Sequence, residues 1–121
     1  MKTHYDLNVW NDSIILVKDV YKISVKFPKE EIYGLTSQIK RATISIPSNI
    51  SEGASRQSNK EFIQFLYIAL GSASEVETQL IIAKELNFID SKDLDYLLKS
   101  LEKIKKMLNG LIKSLKVKNE K

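Results

Sequence analysis

Residues 58–83 read SNKEFIQFLYIALGSASEVETQLIIA. Ser58-Asn59-Lys60-Glu61 has the form of a capping box. In that arrangement a serine and a glutamate three positions apart satisfy each other's free backbone N–H groups. From there Phe62, Leu66, Ala69, Ala73, Val76, Leu80 and Ala83 recur at alternating steps of four and three. That spacing keeps one stripe of a helix turned toward a partner. The pattern predicts a long helix that fades near Leu86-Asn87-Phe88. A helix with such a seam needs other helices to cover it, so the reading extends outward in both directions.

Downstream, Asp90 or Ser91 is placed to cap a further helix. Its seam is Leu94, Leu97, Leu101, Ile104, Leu108, Leu111 and Leu115, with a polar, frayed tail over residues 117–121. Upstream, residues 36–56 carry the stripe Leu35, Ile39, Ala42, Ile46, Ile50 and Gly53. Pro47 removes one backbone donor inside this stripe. Because the stripe continues in phase, a bent helix is preferred over one that stops at Ile46. Gly34 marks the turn before it, and Pro28 ends a first helix running from about Leu7 to Phe27. That first helix carries two apolar lines, Trp10-Ile14-Val17-Tyr21 and Leu16-Val20-Ile23-Phe27, with Asp6 or Asn8 as its cap. Four amphipathic helices joined by short links predict an all-α protein, an antiparallel up-down-up-down four-helix bundle in a single domain spanning 1–121.

Composition narrows the function. The 121-residue chain has no cysteine and a single histidine, His4. This excludes a disulfide framework, cysteine-ligated zinc and most histidine chemistry. A carboxylate di-metal site in a bundle calls for Glu-x-x-His pairs, and the chain has none. No apolar run approaches the roughly 20 residues that span a bilayer, and the N-terminus leads into no apolar signal core. The expectation is a soluble cytoplasmic protein without cofactor, metal or membrane partner. The net charge of +4 is uneven: residues 91–121 contain nine lysines against four acids, while residues 1–90 are close to neutral.

Two further features go beyond a lone bundle. Residues 62–70, FIQFLYIAL, are apolar at every position but one. A small bundle helix normally shows one side to water. Ile63, Phe65, Tyr67, Ile68 and Leu70 are therefore candidate interface residues of a homo-oligomer. On the second helix Gln38, Arg41, Ser45, Asn49, Glu52 and Arg56 form a polar line. A hairpin turning near Gln57 sets Arg41 opposite Ala73 to Glu77, Asn49 opposite Phe65, Ser45 opposite Ala69, and Gly71-Ser72 opposite Thr43. Arg41 is then expected to pair with Glu75 or Glu77, with Asn49 and Glu52 satisfying helix ends and neighbours. The alternative is that this line faces a groove or an oligomer channel.

The stretch from Phe27 to Leu80 closely resembles the 23S rRNA-intervening sequence proteins. It carries Phe27-Pro28, Glu31, Gly34-Leu35, Gln38, Arg41-Ala42, Ser45-Ile46-Pro47, Asn49-Ile50, Glu52-Gly53, Gly71-Ser72, Glu75 and Thr78-Gln79-Leu80 in order. Weaker similarity covers the first helix, through Leu7, Val9 and Trp10, and the last. Lys40 stands where the family often has Arg, and Asn11-Asp12 departs from a more helix-favouring stretch. The resemblance implies a bundle that assembles as a homopentamer. It also implies kinship with the basic accessory protein of diversity-generating retroelements, and no known reaction.

Nucleic-acid binding is the leading functional reading. Lys99, Lys103, Lys106 and Lys113 fall near one side of the last helix, with Lys105 and Lys116 nearby and Lys40, Arg41 and Arg56 as additions. Repeated around an oligomer, such a face attracts a polyphosphate backbone. The alternative is a protein-interaction or scaffolding bundle that binds no nucleic acid. The chain lacks a nucleophile–base pair, a Gly-rich phosphate loop and metal-ligand spacing, so an enzyme is not expected.

Overall fold

The computed structural model describes His4 and residues 7–119, Asn119 by its backbone alone. Among these residues the chain forms four α-helices and no strand. They are α1 (Asn8–Ser24), α2 (Leu35–Ala54), α3 (Asn59–Glu85) and α4 (Ser91–Asn119), with a short 3-10 turn at Lys29–Glu31. The pairs α1/α2, α2/α3, α3/α4 and α1/α4 pack together, and neither diagonal pair does. This is a square bundle.

Cross-helix contacts give the directions. Asp19 meets Tyr96 and Asp12 meets Lys103, so α1 and α4 run oppositely. Glu77 meets Lys105 and Tyr67 meets Lys116, so α3 and α4 do as well. Ser45 meets Ser72, and Gly53 lies against Phe62 and Phe65, which orients α2 against α3. Three antiparallel pairs around a square force the fourth.

The local reasons are visible at each terminus. Ser58 Oγ accepts from the Glu61 N–H at 3.1 Å, forming the first arm of the expected capping box at the start of α3, and donates to Glu61 Oε1 at 3.0 Å, so the carboxylate meets the Ser58 hydroxyl. Asp90 caps α4 by accepting from the Asp93 N–H. At the end of α3, Asn87 takes φ 62°. The Phe88 N–H then reaches back to the Ala83 carbonyl and the Asn87 N–H to Lys84. This is a Schellman closure with Asn in the left-handed position. Phe88 meets Phe27 across the same end of the bundle.

The core follows the seams. All seven α3 positions from Phe62 to Ala83 are buried. Helix α2 continues through Pro47, as its in-phase stripe predicted. Ser13, Ser24 and Thr43 are buried and give their hydroxyl protons to carbonyls three or four residues earlier, so these three hydroxyls are satisfied within their own helices.

Some expectations need correction. Helix α1 stops at Ser24, and Phe27 enters the core from a turn instead. Leu7, not Asp6 or Asn8, holds the N-cap position of α1, and Asp6 lies outside the described residues. In α4 the seam passes from Leu108 to Ile112 and then Leu115, leaving Leu111 half-buried. A strict seven-residue repeat drifts around a helix of 3.6 residues per turn, so over this length the buried stripe steps to the next position. Residues 117–119, assigned to a frayed tail, are helical; Glu120 and Lys121 lie outside the described residues. No helix among the described residues is long and apolar enough to cross a membrane.

Candidate nucleic-acid interface

The outward side of α4 is built by its own periodicity. With Leu97, Leu101, Ile104 and Leu108 turned inward, Lys99, Lys103, Lys106 and Lys113 are all exposed on the opposite side. The structure adds Lys92, which the sequence reading missed. It precedes Lys99 by one heptad, and Lys92, Lys99, Lys106 and Lys113 form an unbroken seven-residue series. At 1.5 Å per residue the series covers roughly 31 Å. The heptad interval was the signal that would have found it.

The five lysines on this face differ in freedom. Lys103 Nζ lies 3.3 Å from Asp12, and Lys106 lies 3.2 Å from Glu102 in the preceding turn. Both lysine side chains are largely exposed, so these pairs are weak and interchangeable with solvent or another anion. Lys92, Lys99 and Lys113 have no ion-pair partner among the described residues. Asp95 and Glu102 interrupt the face, which is therefore mixed in sign, with lysine in excess.

The remaining candidate cations lie elsewhere. Lys105 is turned toward α3, where it donates to Glu77 at 2.9 Å. Lys116 donates to the Tyr67 hydroxyl at 2.8 Å. Lys40 stands 4.7 Å from the centre of the Tyr21 ring, and Arg56 stands 4.8 Å from that of Phe65 while pairing with Glu52 at 3.7 Å. These groups brace helix pairs. The structure does not gather all nine candidate cations into one surface.

The polar line of α2 lies along the α2/α3 seam. Gln38, Arg41, Ala42, Ser45 and Glu75 line an open groove of about 450 Å³ there. The expected pair between Arg41 and an acid does not form. Among the described residues Arg41 donates only to Ser37, at 3.3 Å. Glu77 is occupied by Lys105, and Glu75 accepts from Gln79 Nε2 at 3.3 Å. Ser45 meets Ser72 at 2.7 Å rather than facing Ala69. The register is set by Gly53, where an added Cβ would lie 2.7 Å from Phe65 Cβ, and not by the midpoint of the loop. Asn49 is absorbed locally, donating to the Ser45 carbonyl and hydroxyl, and Glu52 accepts from the Ser55 hydroxyl and forms an ion pair with Arg56. Gln79 is buried and its Oε1 has no partner among the described residues.

The proposed interface residues also divide. Ile63 is buried inside the chain, which removes it from any outer surface. Phe65 and Leu70 are half-buried, Phe65 being seated on Gly53. Tyr67 and Ile68 are exposed. Among the described residues no group of three or more His, Cys, Asp or Glu side chains is arranged to hold a metal ion.

Comparison with known proteins gives the following. A family model described as 23S rRNA-intervening sequence protein matches residues 5–110. A crystal structure from Bacteroides thetaiotaomicron, of a protein of unknown function from the S23 ribosomal protein family, superposes with a TM-score of 0.80 at 26% identity. The match covers 87% of this chain and 98% of that one. Among curated proteins no match is found.

Proposed function

The chain belongs to the 23S rRNA-intervening sequence protein family, and from that premise we propose a non-enzymatic, homo-oligomeric bundle that holds nucleic acid against the lysine face of α4. One observation carries the reading: Lys92, Lys99, Lys106 and Lys113 are exposed in a heptad series, with Lys103 beside them. Lysine ammonium groups on a convex helix contact phosphates as point charges and read no base edge. Binding is then governed by counterion release and depends weakly on sequence. In the homopentamer that the family resemblance implies, the face is repeated around the assembly and the field adds.

The test is fluorescence anisotropy of a labelled ribosomal-RNA fragment, and of an unrelated RNA of the same length, across a salt series. Five phosphate contacts on a single strand give a slope of log K against log salt of about −3 to −4. A triple variant, Lys99→Glu, Lys106→Glu and Lys113→Glu, is expected to abolish binding while leaving the helical circular dichroism intact. Salt-independent binding, or an unaffected variant, refutes the reading. A pull-down of host protein that survives nuclease treatment favours the scaffolding alternative.

A further inference from the structure

The outer side of α3 is unlike that of α4. Tyr67, Ile68, Ile81 and Ile82 project from it, 48%, 51%, 46% and 43% exposed. Between Tyr67 and Ile82 the charged residues are Glu75 and Glu77, and Glu77 is already taken by Lys105. Gly71 lies within this strip, one turn beyond Tyr67, exposed, and a Cβ added there would meet nothing within 4 Å. A glycine in a helix interior weakens the helix, and nothing among the described residues uses the space it leaves; Gly110 on α4 is equally open, and what sets Gly71 apart is the set of exposed apolar side chains around it. Gly53, by contrast, is required by the close approach of α3. Gly71 has the same chemistry without the neighbour.

The seam beside this strip is also incomplete. Arg41 and Glu75 line one groove, yet among the described residues neither is ion-paired, and Gln79 nearby keeps an Oε1 with no partner there. We infer that the outer face of α3, together with the α2 flank at Arg41, packs against a second copy of this chain, with Gly71 at the closest approach and Arg41 of one copy paired with Glu75 of the next. The charge content selects this occupant. One unpaired cation and one unpaired anion beside the exposed Tyr67, Ile68, Ile81 and Ile82, with only the neutral Ser74 and Thr78 as further exposed polar side chains between Tyr67 and Ile82, suit a surface that meets another copy of the same chain. A polyanion is opposed by Glu75 and finds no cluster of cations there. The inference rests on the self-association in the reading above and adds the surface that performs it.

Sedimentation velocity of the full chain at micromolar concentration tests both levels separately. The wild-type chain is expected to sediment as an oligomer. Gly71→Leu has room in the isolated bundle and restores helix propensity, so it is expected to keep the wild-type circular dichroism while shifting the protein to a single subunit. Arg41→Glu and Glu75→Arg are each expected to weaken association by at least tenfold, and the double variant to restore it. A wild-type chain that sediments as a single subunit overturns self-association itself. An oligomer unmoved by Gly71→Leu and by both charge reversals overturns the assignment of this face and leaves self-association standing. Single charge reversals that are not rescued in the double variant overturn the Arg41–Glu75 pairing.

Discussion

Replacing Gly53 and Gly110 separately with alanine isolates what the α2/α3 contact contributes. The chemistry of the change is the same at both sites, and both residues are helical. At Gly110 an added methyl meets nothing within 4 Å. The helix then gains the usual propensity of alanine over glycine, about 0.5–1 kcal/mol. At Gly53 the same methyl falls 2.7 Å from Phe65 Cβ and 2.9 Å from Phe62 Cδ1. Carbon atoms ordinarily rest about 3.5–4.0 Å apart, so α2 and α3 must separate by roughly 1 Å. Phe65 Cβ is fixed to the α3 backbone and cannot rotate away. Overpacking of this kind costs about 1–3 kcal/mol. Gly53 is one residue from the end of α2, where the compensating propensity gain is smaller. The net expectation is a loss of about 1–2 kcal/mol for Gly53→Ala, against a gain at Gly110. For a chain of this size the two variants should melt roughly 6–12 °C apart. Thermal and urea unfolding at one fixed protein concentration measures this, since the proposed self-association would make stability concentration-dependent. Two variants that move together, or a Gly53→Ala protein as stable as wild type, would falsify the close-contact account of the α2/α3 register.

Other expectations follow from particular contacts. Ser58→Ala removes the acceptor for the Glu61 N–H and should lower stability by about 1 kcal/mol in urea unfolding; an unchanged midpoint argues against the capping box. Asn87 holds a φ of 62°, so Asn87→Val should destabilise by about 1–2 kcal/mol while Asn87→Gly is neutral or better. Equal effects of the two would show that backbone conformation is not what matters there. Tyr96 donates to Asp19, and this hydrogen bond, with the nearby carboxylate charge, raises the phenol above a tyrosine's ordinary value near 10. The folded chain holds that proton more tightly. The contact is therefore complete below pH 10 and is lost as pH rises through the folded value. A titration resolved at Tyr96 should show late ionisation in wild type and an earlier one in Asp19→Asn; coincident curves contradict the contact.

Much of the fold is legible in residue order because helix periodicity, caps and breakers are local physics. The Phe62–Ala83 seam, the Ser58–Glu61 box and the in-phase stripe around Pro47 each act within a turn or two of themselves. The candidate site is less legible. Lysine spacing reveals which residues share the outer side of α4, since that is again periodicity. It does not reveal that Lys105 and Lys116 are turned toward Glu77 and Tyr67, because those partners lie 28 and 49 residues away. Nor does it show that Arg41 passes over Glu75 and Glu77.

What the chain determines alone is therefore a set of helices, their buried stripes and the placement of excess lysine near its end. What only the tertiary structure decides is register: which residue of one helix stands against which residue of the next. Register depends on the depth to which side chains interlock, and at Gly53 that depth is set by the absence of a single methyl group. A shift of one helical turn leaves every periodic pattern intact and changes every partner. Ile63 is inside and Ile68 outside although both lie in the same apolar run, because they stand on opposite flanks of the α3 seam and packing decides which flank is covered.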